Sequence, residues 1–175
     1  SYTNCTEEYN GSSWSAGGNT INTHGSIPGA AGTQNEGIIF GGSYPTYLSC
    51  TEEYDGSSWS SGGSLITARY ELAGAGTQNS TLAAGGHPYK NRCTEEYNGS
   101  SWATGGAVIS GRAGAGGGGT QNAGVIFGGY GYPGAHSCAT ELYDGSSWST
   151  SFNMNQARYN MGSAGTQAAG LAFGG

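Results

Sequence analysis

Apolar residues along the chain fall into short runs, each closed by a pair of glycines: Gly37 to Phe40 before Gly41-Gly42, Thr81 to Ala84 before Gly85-Gly86, Gly124 to Phe127 before Gly128-Gly129, and Gly170 to Phe173 before Gly174-Gly175. No stretch carries the 3.6-residue apolar period of an amphipathic helix, and no N-cap residue opens an apolar run, so the runs predict strands. A second pattern recurs between them. Tyr, then Asn or Asp, then Gly-Ser-Ser-Trp occupies Tyr9 to Trp14, Tyr54 to Trp59, Tyr97 to Trp102 and Tyr143 to Trp148. Asn-Gly and Asp-Gly accept the positive φ angles of a type I′ turn, which predicts a tight hairpin with one ring on either arm. Each unit then holds four short strands: a Gly/Ala stretch such as Leu72 to Gly76, the apolar run, the Cys-Thr-Glu-Glu-Tyr segment, and a strand starting at Ser-Ser-Trp.

Cutting after each glycine pair gives units 1–42, 43–86, 87–129 and 130–175. A period of this size belongs to propellers and solenoids. The first strands (Ala30 to Gly32, Ala73 to Gly76, Ala113 to Gly119, Gly162 to Gly165) are nearly free of side chains, which suits strands crowded around an axis. The chain opens on third and fourth strands, Cys5 to Trp14, and closes on first and second ones, Ala164 to Phe173. Pairing the N-terminal with the C-terminal strands would complete a fourth sheet and leave no free edge. The expectation is one all-β domain over 1–175, a β-propeller of four four-stranded antiparallel blades closed in that way. The same half-sheets could instead pair between successive molecules, as a filament.

Composition shapes the core: 36 glycines and 35% hydrophobic residues leave it to four Trp, twelve Tyr and four Phe, spaced once per unit or more, to supply buried area. Net charge is -6, and the five Lys and Arg form no basic run, so nucleic acid and anionic membranes are not expected as partners. No segment has the length of a transmembrane helix, and the first residues do not read as a signal peptide. Cys5, Cys50, Cys93 and Cys138 fall once per unit, which predicts free thiols packed as small apolar groups. With no Cys-x-x-Cys and no close Cys/His pair, neither a metal site nor a cofactor is expected.

The glycine pairs, the Glu two before each Tyr, the Tyr followed by Trp, and the Ala-Arg-Tyr segments at 68–70 and 157–159 together resemble the kelch-type β-propeller repeat over the whole chain. The short Gly-rich variant is also similar to repeats of phage and environmental surface proteins. The kelch resemblance implies that the first Glu of each pair meets the Arg ahead of an inner strand. Arg69 would pair with Glu95, Arg112 with Glu141, His24 with Glu52 and, through ring closure, Arg158 with Glu7. The second Glu, on the opposite face by strand alternation, is read as solvated. Charges recurring once per blade are spread around a ring, so the acidic residues read as structural and not as a catalytic array. The four Trp read as packing between blades.

What varies between units lies in the loops after the glycine pairs, all on one face of such a ring. They hold Tyr44 and Tyr47, then His87, Tyr89 and Lys90, then Tyr130, Tyr132 and His136, with Tyr2 in the corresponding loop of the closing blade. Rigid aromatic area with hydroxyls suits glycan or protein surfaces, and these nine residues are the candidate ligand-binding set. Three histidines in three units form no nucleophile, base or metal constellation, so an enzyme is not expected. The expected role is a structural or binding module of a surface assembly (phage fibre, virion decoration or extracellular filament), outside the cell or on a virion. The alternatives are a kelch-like protein-interaction adaptor and a hemopexin-like four-bladed ligand carrier.

Overall fold

A computed structural model of the chain describes residues 2–88, 91–131 and 134–175. The described residues form strands and no helix, hence no helix long and apolar enough to cross a membrane. β1 (Glu7–Tyr9) and β2 (Trp14–Ala16) make a two-stranded sheet. β3 (Gly29–Thr33), β4 (Glu36–Phe40), β5 (Thr51–Tyr54) and β6 (Trp59–Ser61) make a four-stranded one. So do β7 (Ala73–Thr77), β8 (Ser80–Ala84), β9 (Thr94–Tyr97) and β10 (Trp102–Thr104), and again β11 (Gly116–Thr120), β12 (Ala123–Phe127), β13 (Thr140–Tyr143) and β14 (Trp148–Ser151). β15 (Gly162–Thr166) and β16 (Ala169–Phe173) form a second two-stranded sheet. All pairings are antiparallel, and the register repeats: Phe40 faces Thr51, Ala84 faces Thr94, Phe127 faces Thr140.

The four strands expected per unit are present. The closing pair is not: β1 pairs with β2 and β15 with β16 in separate sheets, so the terminal strands are unjoined and the sheets are not closed. The cause lies in the inner strands. β3 packs on β7, β7 on β11 and β11 on β15, but β15 does not return to β3 in the same way. These strands touch backbone to backbone. A methyl group at Gly74 would run into the Ala30 carbonyl oxygen, and one at Gly117 would sit 2.9 Å from the Gly74 oxygen.

The hairpin turn also differs from expectation. Between Asp55 and Ser58, which share a backbone hydrogen bond, only Gly56 has positive φ, at 90°, whereas a type I′ turn needs it at both central residues. The bend is closed by the aspartate side chain: Asp55 Oδ1 accepts from the backbone N–H of Ser57 at 2.9 Å and of Ser58 at 2.8 Å. Asn10 and Asn98 make the equivalent bonds, which explains why Asn and Asp alternate there.

Each four-stranded sheet is joined to the one before it by recurring Trp and Tyr contacts. The indole N–H groups of Trp59, Trp102 and Trp148 donate to Thr6, Thr51 and Thr94 of the preceding sheet, each at 2.9 Å. The hydroxyls of Tyr54, Tyr97 and Tyr143 donate to Glu8, Glu53 and Glu96. Thus the second glutamates, expected to be solvated, are acceptors in the joint, since the following sheet covers the face that alternation turns outward. The Gln78, Gln121 and Gln167 amides reach back to two carbonyl oxygens of the preceding sheet. The core follows these joints: Ile38, Phe40, Leu65, Tyr97 and Trp102 cluster in one, Leu82, Val108, Ile126, Tyr143 and Trp148 in the next.

Candidate functional site

The variable loops lie together. Tyr70 and His87 exchange two backbone hydrogen bonds at 3.0 and 2.7 Å, and Ala113 and Tyr130 exchange two at 3.1 and 2.9 Å. These isolated bridges fasten the loop after a sheet's second strand to the segment ahead of the same sheet's inner strand. Their side chains build a row of rings across successive units. Tyr47 lies 5.3 Å from Tyr70, Tyr70 stacks on His87 at 5.1 Å, and His87 stands 6.4 Å from Tyr130. Tyr130 meets Tyr159 edge-on at 5.4 Å, and Tyr159 meets His136 at 4.5 Å. All are separations at which aromatic pairs attract.

Of the nine predicted residues, Tyr47, His87, Tyr130 and His136 belong to this row. Tyr2 and Tyr44 form a separate edge-to-face pair at 5.5 Å, both more than half exposed. Tyr89, Lys90 and Tyr132 lie outside the described residues. Two members of the row were not anticipated from sequence, Tyr70 and Tyr159. Their signal was present in the repeated Ala-Arg-Tyr, where the arginine drew the attention and the tyrosine behind it carries the face.

The row is tuned by one carboxylate. The Tyr130 hydroxyl donates to Glu71, and burial together with this bond and the Glu71 charge pushes the phenol above its ordinary range. Tyr70 is raised by burial and by the same charge. The hydroxyls therefore stay protonated, able to donate. His87 Nδ1 is buried without a hydrogen-bond partner among the described residues. Tyr130, Gly134, His136 and Tyr159 enclose a cavity of about 350 Å³ at one end of the row.

The ion pairs expected at the first glutamates are present in three of four places. Arg69 Nη2 lies 3.2 Å from Glu95, Arg112 meets Glu141, and His24 Nε2 stands 3.1 Å from Glu52. The fourth, Arg158 with Glu7, is not formed: Arg158 donates to the Gly174 carbonyl oxygen, and Glu7 is exposed on β1. Each buried glutamate also accepts backbone N–H groups, Ile66 at 2.7 Å for Glu95 and Ile109 at 2.7 Å for Glu141. Burial pushes the Glu52 carboxyl up, but bonds from Asn22, Ile21 and His24 outweigh it and leave the group below its usual range.

In the first of these places Cys50 joins His24 and Glu52, with one ligand atom of each within 4.8 Å of the others, a set of donors that could hold a metal ion. Sequence reading missed it because 26 residues of chain separate the histidine from the thiol. The sister units place an arginine where His24 stands, and His24 Nδ1 lies 2.7 Å from the Gly41 carbonyl oxygen. The cysteines are free, Cys5 exposed and the other three half-buried, less covered than expected. Cys138 precedes Ala139, whose carbonyl oxygen takes the Arg112 bond that Cys93 takes from Arg69, so it sits one residue out of step. Compared with protein-family models and with curated proteins, the chain matches none.

Proposed function

We propose that the chain is a structural and binding module of a surface assembly, such as a phage fibre, a virion decoration or an extracellular filament, and that its aromatic row recognises glycan or protein surfaces. On this reading the sheets are blades of a kelch-type four-bladed propeller. The observation that carries the binding role is the row itself: six rings from five loops, partly held by backbone bridges, with exposed members at both ends. Interlocked rings lose little freedom on binding, and their protonated hydroxyls supply donors across an apolar face. Ring faces of this kind stack on the apolar faces of sugars and cover flat protein patches equally well.

Glycan-array binding of the purified chain, compared with Tyr47→Ala and Tyr159→Ala variants, tests it. Tyr47 is 49% and Tyr159 36% exposed, so both can be truncated without opening the core. Recognition through the row requires each truncation to weaken the wild-type signals at least tenfold. Unchanged binding in both variants removes the row as the recognition surface.

A further inference from the structure

We propose that the two ends of the chain are complementary halves of one more joint, closed by a second copy: the C-terminal end seats Trp14 of the next molecule, and copies add head to tail. This stands on the open sheets alone and does not depend on what the aromatic row binds.

Trp102 shows what an occupied seat looks like. It is 7% exposed, lies 5.0 Å from the Phe40 ring, clusters with Ile38 and Leu65, and donates to Thr51. The residues at the same repeat positions near the C-terminus are Phe127, Val125, Met154 and Thr140. They line a cavity of about 270 Å³ that holds no tryptophan. At the other end, Trp14 is 67% exposed, tilted against the Tyr9 ring at 5.2 Å.

A second knob and hole run the opposite way. Leu82 is buried in the cluster with Ile126, Tyr143 and Trp148 of the following sheet. Its counterpart on β16, Leu171, is 60% exposed. The matching hole, about 260 Å³, lies beside β1 and is lined by Gly37, Ile39, Tyr54 and Trp59, the counterparts of Gly124, Ile126, Tyr143 and Trp148. β16 and β1 each have a free edge between these sites, and the register of the complete sheets places Phe173 opposite Thr6 and Ala172 opposite Glu7. Three polar groups then fall into place. Glu7 would take the Asn155 and Gln156 backbone N–H groups and face Arg158, as Glu95 takes Ile66 and Thr67 and faces Arg69. Gln34, exposed, would reach back to the new sheet as Gln78 reaches back to the sheet before its own.

The last joint is not a plain copy of the internal ones. Where those have a glutamate and a Gly-Gly pair, it has Leu142 and Ser151-Phe152. Side chains at Gly18, Gly63 or Gly106 would run into the turn of the following sheet, so Phe152, 94% exposed, makes the incoming turn sit further out, while Leu142 offers Tyr9 apolar surface where the internal joints offer a carboxylate. A joint between molecules is thereby distinguished from the joints within one.

Sedimentation of the 175-residue chain over a concentration series, beside Trp14→Ala, tests the proposal. Head-to-tail association that rises with concentration, and that Trp14→Ala weakens at least tenfold as loss of a buried aromatic anchor does, is the expected result. A wild type that stays monomeric throughout, or a Trp14→Ala chain that associates equally well, overturns it. A second measurement separates copies from self-closure: in a Cys5→Ser background, Glu7→Cys and Ala172→Cys in one chain should oxidise to a ladder of multiples of 17.6 kDa. Oxidised product confined to 17.6 kDa, with the link inside one chain, overturns it too.

Discussion

Replacing Glu95 by glutamine tests the joint at its most demanding point. Glu95 is 2% exposed and accepts the Ile66 N–H at 2.7 Å and the Thr67 N–H at 3.3 Å, with the Arg69 guanidinium 3.2 Å away. Arg69 is fully buried; its Nη1 donates to the Gly85 and Cys93 carbonyl oxygens, but Nε and Nη2 lack well-aligned acceptors, so its charge is answered by Glu95. Burial already pulls the guanidinium pKa down, a sign of how poorly the site tolerates an unbalanced charge. Glutamine keeps the shape, removes the charge and turns an amide N–H₂ toward donors. Removing one partner of a buried pair costs about 3–5 kcal/mol, and the orphaned backbone donors fall within that range. The same change at exposed Glu7 should cost less than about 0.5 kcal/mol. Urea unfolding followed by tryptophan fluorescence gives both values without the screening that guanidinium chloride would add. A Glu95→Gln cost under about 1 kcal/mol, or a Glu7→Gln cost equal to it, would refute the reasoning.

Three further outcomes follow from the same contacts. Burial and the Glu53 and Glu96 carboxylates raise Tyr97 and Tyr143 to about 12, above the ordinary 10, so their contribution is complete below pH 10 and should fade as pH rises towards 12; Tyr97→Phe with Tyr143→Phe should flatten that alkaline limb. The turn bonds hold Asp55 and Asp144 at about 2 against the usual 3.8, so their stabilisation is complete above that ordinary value and is lost as pH falls from 3.8 to 2; Asp55→Asn with Asp144→Asn should remove this acid dependence while keeping the turns that Asn10 and Asn98 already make. Gly74→Ala should destabilise by about 1–3 kcal/mol in the same urea assay, because the added methyl meets the Ala30 backbone and no flexible side chain can yield.

What could be read from sequence was what recurs in register. Four copies of Tyr-x-Gly-Ser-Ser-Trp located the hairpins, and the kelch resemblance implied the two Arg–Glu pairs and the His24–Glu52 pair that are present, because a contact built in every unit leaves the same mark each time. Contacts reaching between sheets left no such mark. Strand alternation turns Glu53 outward, and nothing along the strand says that Tyr97 of the next sheet will cover it. Tyr70 joined the aromatic row through its backbone bridge to His87, and Tyr159 through ring contacts with Tyr130 and His136, residues far from them along the chain. The expected I′ turn did not form: only Gly56 takes positive φ, and the aspartate side chain closes the bend. Closure of the ring was expected from the complementary half-sheets, and the terminal strands stand in separate sheets instead.

The central claim is that one joint is made three times within the chain and stands open at its two ends. Residue-resolved amide hydrogen exchange on dilute protein tests it directly. The Ile66 and Ile109 amides, held by Glu95 and Glu141, should be strongly protected, while those of Asn155 and Gln156, facing no glutamate, should exchange at nearly the rate of unstructured backbone. Equal protection of all four in a monomer would mean that Glu7 has reached them within the same chain, and the open-ended account would be wrong.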